Sequence, residues 1–483
     1  MPNAIALTLI DGSRIVVPDS LELITPYVLR EQQDFFEDEL PFVRRLLRPG
    51  QNVIDIGANY GTYTLPMAKQ VGAGGHVWAF EPSSSTAQFL AQGIAANGFA
   101  NVTLEQKAVS SAPGSGQLAL HVQAELRSII HGDDPPVDSE TVLLVTLDDC
   151  MDRYRWADID LIKIDAEGEE ANIVKGGRRF FANLSPLVQY ELRSTGDMNF
   201  DLVRDFEAIG YDSYRLLPGL NLLVPFDAES APDPYLLNLF CCNGVRADRL
   251  AARGVLLRSI DLAGVRQPGG SQIGNDGARY HWRQALGHFP YAAALASVWG
   301  SAENEAADSA DLQAALSLYA RSRDDTLPMA YRVRALEAGF AQFLALCERA
   351  PSRLRLASLA RVAHDFGQRA ITVNALTRLV EFIRLEGGVD PKEPFLAPLE
   401  RFESIAPGEE LGRWIVGAIL EQLEKREHLS SFYAGAKALD RLEAIHALGF
   451  GSPEMERRLD LVRLRINSAR AAKGLPPING PQP

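Results

Sequence analysis

The sequence predicts an α/β domain with a doubly wound, mostly parallel sheet, followed by an all-α domain. From Val53 to about Cys242, short β-branched apolar runs alternate with helical segments, which is typical of a parallel sheet covered on both faces. From about Tyr280 onward, alanine, leucine and arginine recur with apolar spacing of three and four, which indicates helix after helix. The chain has 483 residues, 46% of them hydrophobic, and is therefore long enough to form more than one core.

Five strands are predicted in the α/β part, each as a short apolar run. They are Asn52–Ile56, His76–Phe80, Val102–Glu105, Ile159–Ile164 and Leu187–Leu192. A helix is predicted over Thr86–Asn97, with Gly98 in the C-cap position. After Leu192, the segments YDSYRLL, LNLLV and LLNLFCC are separated by turns, so we expect the sheet to finish with an antiparallel edge.

Composition and pattern changes divide the chain. Residues 1–50 are predicted to lead into the α/β domain, residues 51–250 to form it, residues 251–280 to be a linker, and residues 281–483 to be α-helical. The linker contains the glycine-rich, polar run QPGGSQIGNDG. The helical part resembles degenerate tetratricopeptide-like repeats, although no clean repeat period can be aligned.

The charge distribution argues against polyanionic partners. Residues 1–250 contain 19 basic and 35 acidic residues, whereas the remainder contains 29 and 27. A phosphate backbone would be repelled by the acidic half, so we expect no nucleic acid partner, and an acidic lipid surface is disfavoured for the same reason.

The compartment is predicted to be the cytoplasm. The four cysteines have neither the density nor the spacing of a disulfide framework or zinc site. The first residues, MPNAIALTLIDGSRIVV, lack the pattern of a signal peptide, and no run of about 18 apolar residues suggests a transmembrane segment.

The most informative stretch is VIDIGANYGTYTL, in which an apolar strand leads through glycines into a helix. Such a turn lets the backbone pass close to a nucleotide-like cofactor at the carboxyl edge of the sheet. The nicotinamide fingerprint GxGxxG requires a second glycine where Asn59 stands, so a nicotinamide dehydrogenase is disfavoured. The pattern DxGxNxG remains.

Three acidic residues follow later strands. Glu81 ends the second strand in HVWAFEP, where a carboxylate can accept hydrogen bonds from ribose hydroxyls. Asp165, in DLIKIDAEGEEANIVKGG, and Glu191, at the end of PLVQYEL, follow two further strands. Because the carboxyl ends of neighbouring parallel strands meet at one edge, Glu191 is expected to share a crevice with Asp165 and the nearby Glu167.

The order and spacing of VIDIGANYGTYTL, FEP, TLDD and IKIDAEGEE resemble the FkbM family of methyltransferases over about residues 30–245. The resemblance implies a class I, Rossmann-like fold with a seven-stranded sheet. It also implies S-adenosyl-L-methionine as the cofactor, with S-adenosyl-L-homocysteine as product, and methyl transfer to an oxygen, often a sugar or polyketide hydroxyl. An enzyme of the EC 2.1.1 class is therefore expected.

The resemblance also implies roles for individual residues. The residues that would line the cofactor are Asp55, Gly57, Ala58, Asn59, Gly61, Glu81, Pro82 and Glu37. Of these, Glu81 would hold the ribose. Glu37, in FFEDELPFV, matches a family acid near the cofactor, but a glutamate on a helix surface is an equally good interpretation.

An alcohol is a weak nucleophile, so a general base is expected within hydrogen-bond reach of it. Asp165 and Glu191 are the leading candidates, with Glu167 close behind, and His131 is a further one because its polar stretch could fold over the pocket. Asp165 has structural alternatives, namely capping the following helix or binding the cofactor amino group. No metal is predicted, because two acids without a third ligand in sequence reach are a weak metal signal.

These observations predict a cytoplasmic methyltransferase acting on a hydroxyl of a sugar, glycolipid or secondary metabolite. The appended helical domain is expected to dock a protein partner or a second copy of the chain. The alternative is a helical-repeat scaffold whose methyltransferase fold binds the cofactor weakly or is only structural.

Overall fold

The computed structural model describes residues 3–130, 138–194, 197–198, 200–229, 232–265, 280–302, 309–386, 389 and 391–478. The chain divides into two compact units. The first comprises Met1–Leu216, Leu223–Ala231 and Leu236–Leu256, and the second comprises Leu217–Leu222, Pro232–Tyr235 and Leu257–Pro483. The sequence-based domain boundaries stay a prediction, and residues 266–279 of the predicted linker lie outside the described residues.

The strands lie in the amino-terminal half of the chain. Their bounds are β1 Ala4–Thr8, β2 Arg14–Pro18, β3 Asn52–Ile56, β4 His76–Phe80, β5 Val102–Glu105, β6 Ala108–Val109, β7 Gly114–Ala119, β8 Ser139–Val145, β9 Leu161–Ile164, β10 Leu187–Glu191, β11 Arg193–Ser194, β12 Asp197–Met198, β13 Asp212–Leu217, β14 Leu222–Pro225 and β15 Asn238–Cys242. The predicted strands at β3, β4 and β5 are reproduced to the residue, because each apolar run is bounded by glycine or polar residues.

The helices of the first unit are α1 Ile24–Gln32, α2 Glu39–Leu46, α3 Thr64–Val71, α4 Ser84–Asn97, α5 Leu147–Tyr154, α6 Glu170–Gly176, α7 Arg178–Leu184, α8 Phe200–Glu207 and α9 Gly244–Ala252. A 3₁₀ turn covers Ala124–Leu126. Helix α4 ends at Gly98 in the left-handed conformation, as predicted from the sequence.

The main sheet has the strand order β14-β13-β15-β10-β9-β3-β4-β5. The neighbours β10, β9, β3, β4 and β5 pair in parallel, and β15 is antiparallel to both β10 and β13. This order, with an antiparallel strand inserted beside a parallel set, confirms the predicted α/β fold class. The sheet has eight strands rather than seven, because LNLLV contributes β14 as an additional edge strand.

Both faces of the sheet are buried. Val53, Val77 and Leu161 lie on one face with apolar residues of α2, α3 and α9. Ile54, Ile162 and Val188 lie on the opposite face with residues of α5 to α8. A parallel strand buried on both faces is expected to be almost wholly apolar, so a polar residue inside one requires an explanation.

The second unit is helical. Its helices are α10 Ser259–Ala263, α11 Trp282–Leu286, α12 Pro290–Ala302, α13 Ser309–Arg323, α14 Met329–Arg349, α15 Arg353–Asp365, α16 Arg369–Glu386, α17 Leu411–Glu427, α18 Ser431–Ala434, α19 Leu439–Leu448 and α20 Pro453–Ala471, with 3₁₀ turns at Glu400–Ser404 and Gly435–Ala438. Trp282, Trp299 and Trp414 are buried in its main core. None of the helices described in either unit is long and apolar enough to cross a membrane.

Candidate active site

The turn after β3 is held against the neighbouring strands by its backbone. The N–H groups of Gly57 and Ala58 both donate to the carbonyl of Phe80, at 3.0 Å each. Gly57 has a φ of +76°, and a Cβ there would lie 1.7 Å from the carbonyl oxygen of Asp165. Only glycine fits between these backbones, so the turns after β3 and β9 are in direct contact.

Glu81 closes the same turn from the end of β4. Its Oε2 accepts a hydrogen bond from the N–H of Asn59 at 2.9 Å, and its Oε1 accepts one from the N–H of Ser83 at 2.9 Å. Asn59 itself has a φ of +48°, and Gly61, at +96°, completes the turn. Burial raises the pKa of Glu81 to about 7, although both N–H donors lower it.

Three polar side chains interrupt the apolar strands in one row across the sheet. Asp55 of β3 is paired in register with Lys163 of β9, which is paired with Gln189 of β10. All three are at least 95% buried. They therefore form a polar row on one face of the sheet, near the carboxyl ends of the three strands.

Asp55 is only half satisfied. Its Oδ2 accepts a hydrogen bond from the hydroxyl of Thr64 at 2.6 Å, whereas its Oδ1 is buried and has no hydrogen-bond partner among the described residues. Burial raises the pKa of Asp55, and the nearby Lys163 opposes that rise. An orphaned buried carboxylate oxygen is costly, so this atom fits a ligand that brings a donor or a positive charge.

Lys163 is the buried cation at the centre of the row. Its Nζ donates to Oδ2 of Asp165 at 2.7 Å and lies 4.8 Å from the ring centroid of Tyr63. Burial alone lowers the pKa of Lys163, but the negative charges of Asp165, Asp55 and Glu37 raise it above its ordinary value. The lysine is thus charged and compensates several carboxylates at once.

The carboxylates of Asp165, Glu167 and Glu191 form a second group at the ends of β9 and β10. Each offers an oxygen, and these oxygens all lie within 4.8 Å of one another. Burial, followed by repulsion from Asp165 and Glu167, raises the pKa of Glu191 to about 9. Burial, followed by repulsion from Asp165 and Glu170, raises that of Glu167 to about 8.

The structure brings together most of the predicted site residues. The glycine turn with Asp55, Ala58 and Asn59 lies at the carboxyl end of β3, and Glu81 with Pro82 lies at that of β4. Asp165 follows the adjacent β9, and Glu191 is the last residue of β10. Glu37, between α1 and α2, reaches the same place, since its carboxylate interacts with the charges of Lys163 and Asp165. His131 lies outside the described residues.

Sequence reasoning missed Lys163, Gln189, Tyr63 and Thr64. For Lys163 and Gln189 the available signal was the single polar residue inside each of the otherwise apolar runs VIDI, LIKI and LVQY. The prediction of no metal rested on the lack of a third ligand, but the structure places Glu167 beside Asp165 and Glu191. These three carboxylates could hold a divalent cation, although three oxygens are fewer than such ions usually take.

The strand order, together with a glycine turn and acids at the carboxyl ends of adjacent strands, defines a class I methyltransferase domain. Residues 55–213 match the family model described as "Methyltransferase FkbM domain". The resemblance found in the sequence is therefore confirmed.

Individual relatives are similar over parts of the chain. Methyltransferase FkbM from Methylobacillus flagellatus KT is 19% identical with a TM-score of 0.30, covering 43% of this chain and 48% of its own. A SAM-dependent methyltransferase from Aquifex aeolicus is 13% identical with a TM-score of 0.26, covering 45% and 93%.

Ribosomal RNA large subunit methyltransferase E of Sorangium cellulosum (strain So ce56) is 44% identical over 54 residues, which are 11% of this chain and 26% of that protein. The chain thus spans about a quarter of the length of this curated relative.

Proposed function

We propose that the protein is an S-adenosylmethionine-dependent methyltransferase that methylates a hydroxyl group of a sugar, glycolipid or secondary metabolite. The observation that carries the proposal is that two groups of carboxylates with different surroundings lie side by side at one edge of the sheet. Glu81, whose two oxygens accept hydrogen bonds, and Asp55, which has one oxygen without a partner among the described residues, lie at the ends of β4 and β3. A group of carboxyls, in which Glu167 and Glu191 have raised pKa values, lies at the ends of β9 and β10. The first suits a cofactor and the second suits an acceptor.

On the cofactor side, Glu81 is the proposed ribose ligand. Its two oxygens are oriented by the N–H groups of Asn59 and Ser83, and each oxygen retains a second lone pair for a ribose hydroxyl. Asp55 Oδ1 and Glu37 are proposed to face the methionine end, whose amino group would satisfy a buried carboxylate. The backbone of Gly57 to Gly61 would lie between them.

When bound, S-adenosylmethionine supplies a methyl group activated by its positive sulfur. In the proposed reaction the acceptor oxygen forms a bond to that carbon, the carbon–sulfur bond breaks, and its electron pair stays on sulfur. The chain has to position the hydroxyl and take its proton.

We propose Glu191 as the general base. Asp165 already accepts a hydrogen bond from Lys163. Glu191 has a pKa of about 9, which is closer to the pKa of an alcohol than that of an ordinary carboxyl is, so it is the better matched base. The proton of the acceptor would go to the Glu191 carboxylate, with Glu167 and Asp165 beside it.

Isothermal titration with S-adenosylhomocysteine tests the cofactor assignment. Glu81→Gln removes the negative charge but keeps the side-chain length, so we expect affinity to fall by about 2 kcal/mol, about thirtyfold. Wild-type affinity should also weaken as pH falls below about 7, because protonated Glu81 accepts fewer hydrogen bonds, and the variant should lose this dependence.

The matched control is Asp160→Asn. Asp160 also accepts a backbone N–H, from Asn52 at 3.1 Å, but it lies at the amino end of β9. Unchanged affinity in Asp160→Asn together with a loss in Glu81→Gln supports the ribose role, and equal affinities in all three proteins contradict it. If the wild type binds no S-adenosylhomocysteine, the scaffold alternative is favoured instead.

The acceptor can be sought directly. The purified full chain and isotope-labelled S-adenosylmethionine are incubated with an extract of glycans and small metabolites, and labelled products are identified by mass spectrometry. Label on a hydroxyl oxygen is the expected result. Label only on nitrogen or carbon would contradict the proposed acceptor class.

A further inference from the structure

Tyr63 stands at a junction between three elements of the site. It lies just before α3, it is 2% exposed, and its hydroxyl donates a hydrogen bond to Oε2 of Glu37. The same hydroxyl accepts a hydrogen bond from Nε2 of Gln189 at 3.0 Å. The hydroxyl therefore accepts one hydrogen bond, from Gln189, and donates its only proton to Glu37.

The position of this hydroxyl is restricted by its surroundings. Gln189 is 0% exposed and belongs to a central strand of the sheet, so its donor cannot move far. The face of the Tyr63 ring is covered by the ammonium of Lys163, at 4.8 Å from the ring centroid. A rigid strand and a buried cation thus fix the phenol.

Glu37, by contrast, belongs to the segment between α1 and α2 and lies in neither helix. It is only partly buried, and its charge interacts with those of Lys163, Asp165 and Asp55. A loop carboxylate surrounded by other carboxylates needs a donor to hold it in one orientation.

We propose that Tyr63 is a positioning residue for the cofactor, because its hydroxyl, oriented by Gln189, holds the Glu37 carboxylate in its binding orientation. This inference rests on the proposed function and adds to it two residues, Tyr63 and Gln189, that need not touch the cofactor. Glu37 contacts the cofactor, and Tyr63 acts through Glu37.

A double-mutant cycle tests the inference. Tyr63→Phe keeps the ring against Lys163 and removes only the hydroxyl, and Glu37→Gln removes the charge that the hydroxyl binds. S-adenosylhomocysteine affinity, measured by titration calorimetry on the full chain, should fall about tenfold in each single variant. The double variant should be no weaker than the worse single variant, because both changes remove one coupled unit.

The matched control is Tyr211→Phe. The hydroxyl of Tyr211 is buried and donates to the carbonyl of Phe181 at 2.8 Å, away from the sheet edge that carries the site. Its loss should lower the melting temperature to a similar extent as Tyr63→Phe without changing affinity. A merely structural role for Tyr63 predicts that both variants behave alike.

A second variant covers the case in which Tyr63→Phe does not fold. Gln189→Met keeps the buried volume and removes the donor to Tyr63, so a several-fold loss of affinity is expected in the presence of the tyrosine. The inference is overturned if Tyr63→Phe binds with unchanged affinity, or if Gln189→Met does so where Tyr63→Phe is unfolded. It is also overturned if the losses of the two single variants multiply in the double variant. Failure of the wild type to bind S-adenosylhomocysteine would instead overturn the proposed function.

Discussion

Glu191→Gln is expected to lower the methyl-transfer rate by a factor of about 10² to 10⁴ while leaving cofactor affinity within about threefold. The glutamine keeps the shape of the side chain at the end of β10 but cannot take a proton from the acceptor hydroxyl. The measurement is the initial rate of labelled-methyl incorporation at saturating S-adenosylmethionine, with S-adenosylhomocysteine affinity determined separately.

The pH dependence gives an independent test of the same role. A base must be deprotonated, and burial with neighbouring carboxylates raises the pKa of Glu191 to about 9. With limiting cofactor, the wild-type rate should therefore rise with pH up to about 9. The positive sulfur of the bound cofactor favours the carboxylate form of Glu191. At saturating cofactor the rise of the rate with pH should therefore occur at lower pH.

Two controls separate proton transfer from other roles of Glu191. Glu207→Gln changes an exposed carboxylate on α8 and should leave the rate unchanged. The wild-type rate should also survive exhaustive chelation. If chelation abolishes it, the loss in Glu191→Gln reflects a missing cation ligand, since Asp165, Glu167 and Glu191 lie close enough to share an ion.

The competing candidate is distinguished by Asp165→Asn. Asp165 is the base if two results are obtained together. The methyl-transfer rate of Asp165→Asn falls while its cofactor affinity is unchanged, and Glu191→Gln remains active with the wild-type pH profile. If Asp165→Asn mainly loses cofactor affinity, Asp165 is a binding residue.

The sheet and its edge were predictable because their signals are local. Each of β3, β4 and β5 is an apolar run with clear boundaries, and the residues after parallel strands must meet at one edge. Placing Asp165 and Glu191 together therefore required only the order of the strands. The insertion of β15 between β10 and β13 was harder, because it depends on pairing between distant segments.

The rest of the site could not be predicted because it depends on register and on long-range contacts. Lys163 and Gln189 are recognised as site residues only because they are aligned with Asp55, and this alignment is fixed by strand pairing. The hydrogen bond from Tyr63 to Glu37 spans 26 positions and is set by where α3 places the ring. No local pattern in the sequence specifies either contact.

Gly57→Ala is expected to remove both cofactor binding and several kcal/mol of stability from the first unit. The alanine would have to adopt a φ near +76°, at a cost of about 1 to 2 kcal/mol. Its Cβ would also lie 1.7 Å from the carbonyl oxygen of Asp165, and a backbone atom cannot rotate away. The turns after β3 and β9 must therefore separate.

Gly210→Ala isolates the first of these two causes, the backbone strain. Gly210 has a φ of +82° but nothing within 4 Å of an added Cβ, so this variant has the conformational strain without the collision. Urea unfolding should place Gly210→Ala about 1 kcal/mol below the wild type, with full affinity for S-adenosylhomocysteine. Gly57→Ala should unfold at clearly lower urea and bind no cofactor.

This comparison tests the central geometric premise of the site. Cofactor and acceptor regions can exchange a methyl group only if the turn after β3 lies against the turn after β9, and Gly57 is where their backbones touch. If the two alanine variants are equally stable and equally able to bind S-adenosylhomocysteine, the close approach does not exist in solution. The carboxylates of Asp165 and Glu191 would then be too loosely placed relative to the turn to serve the proposed transfer.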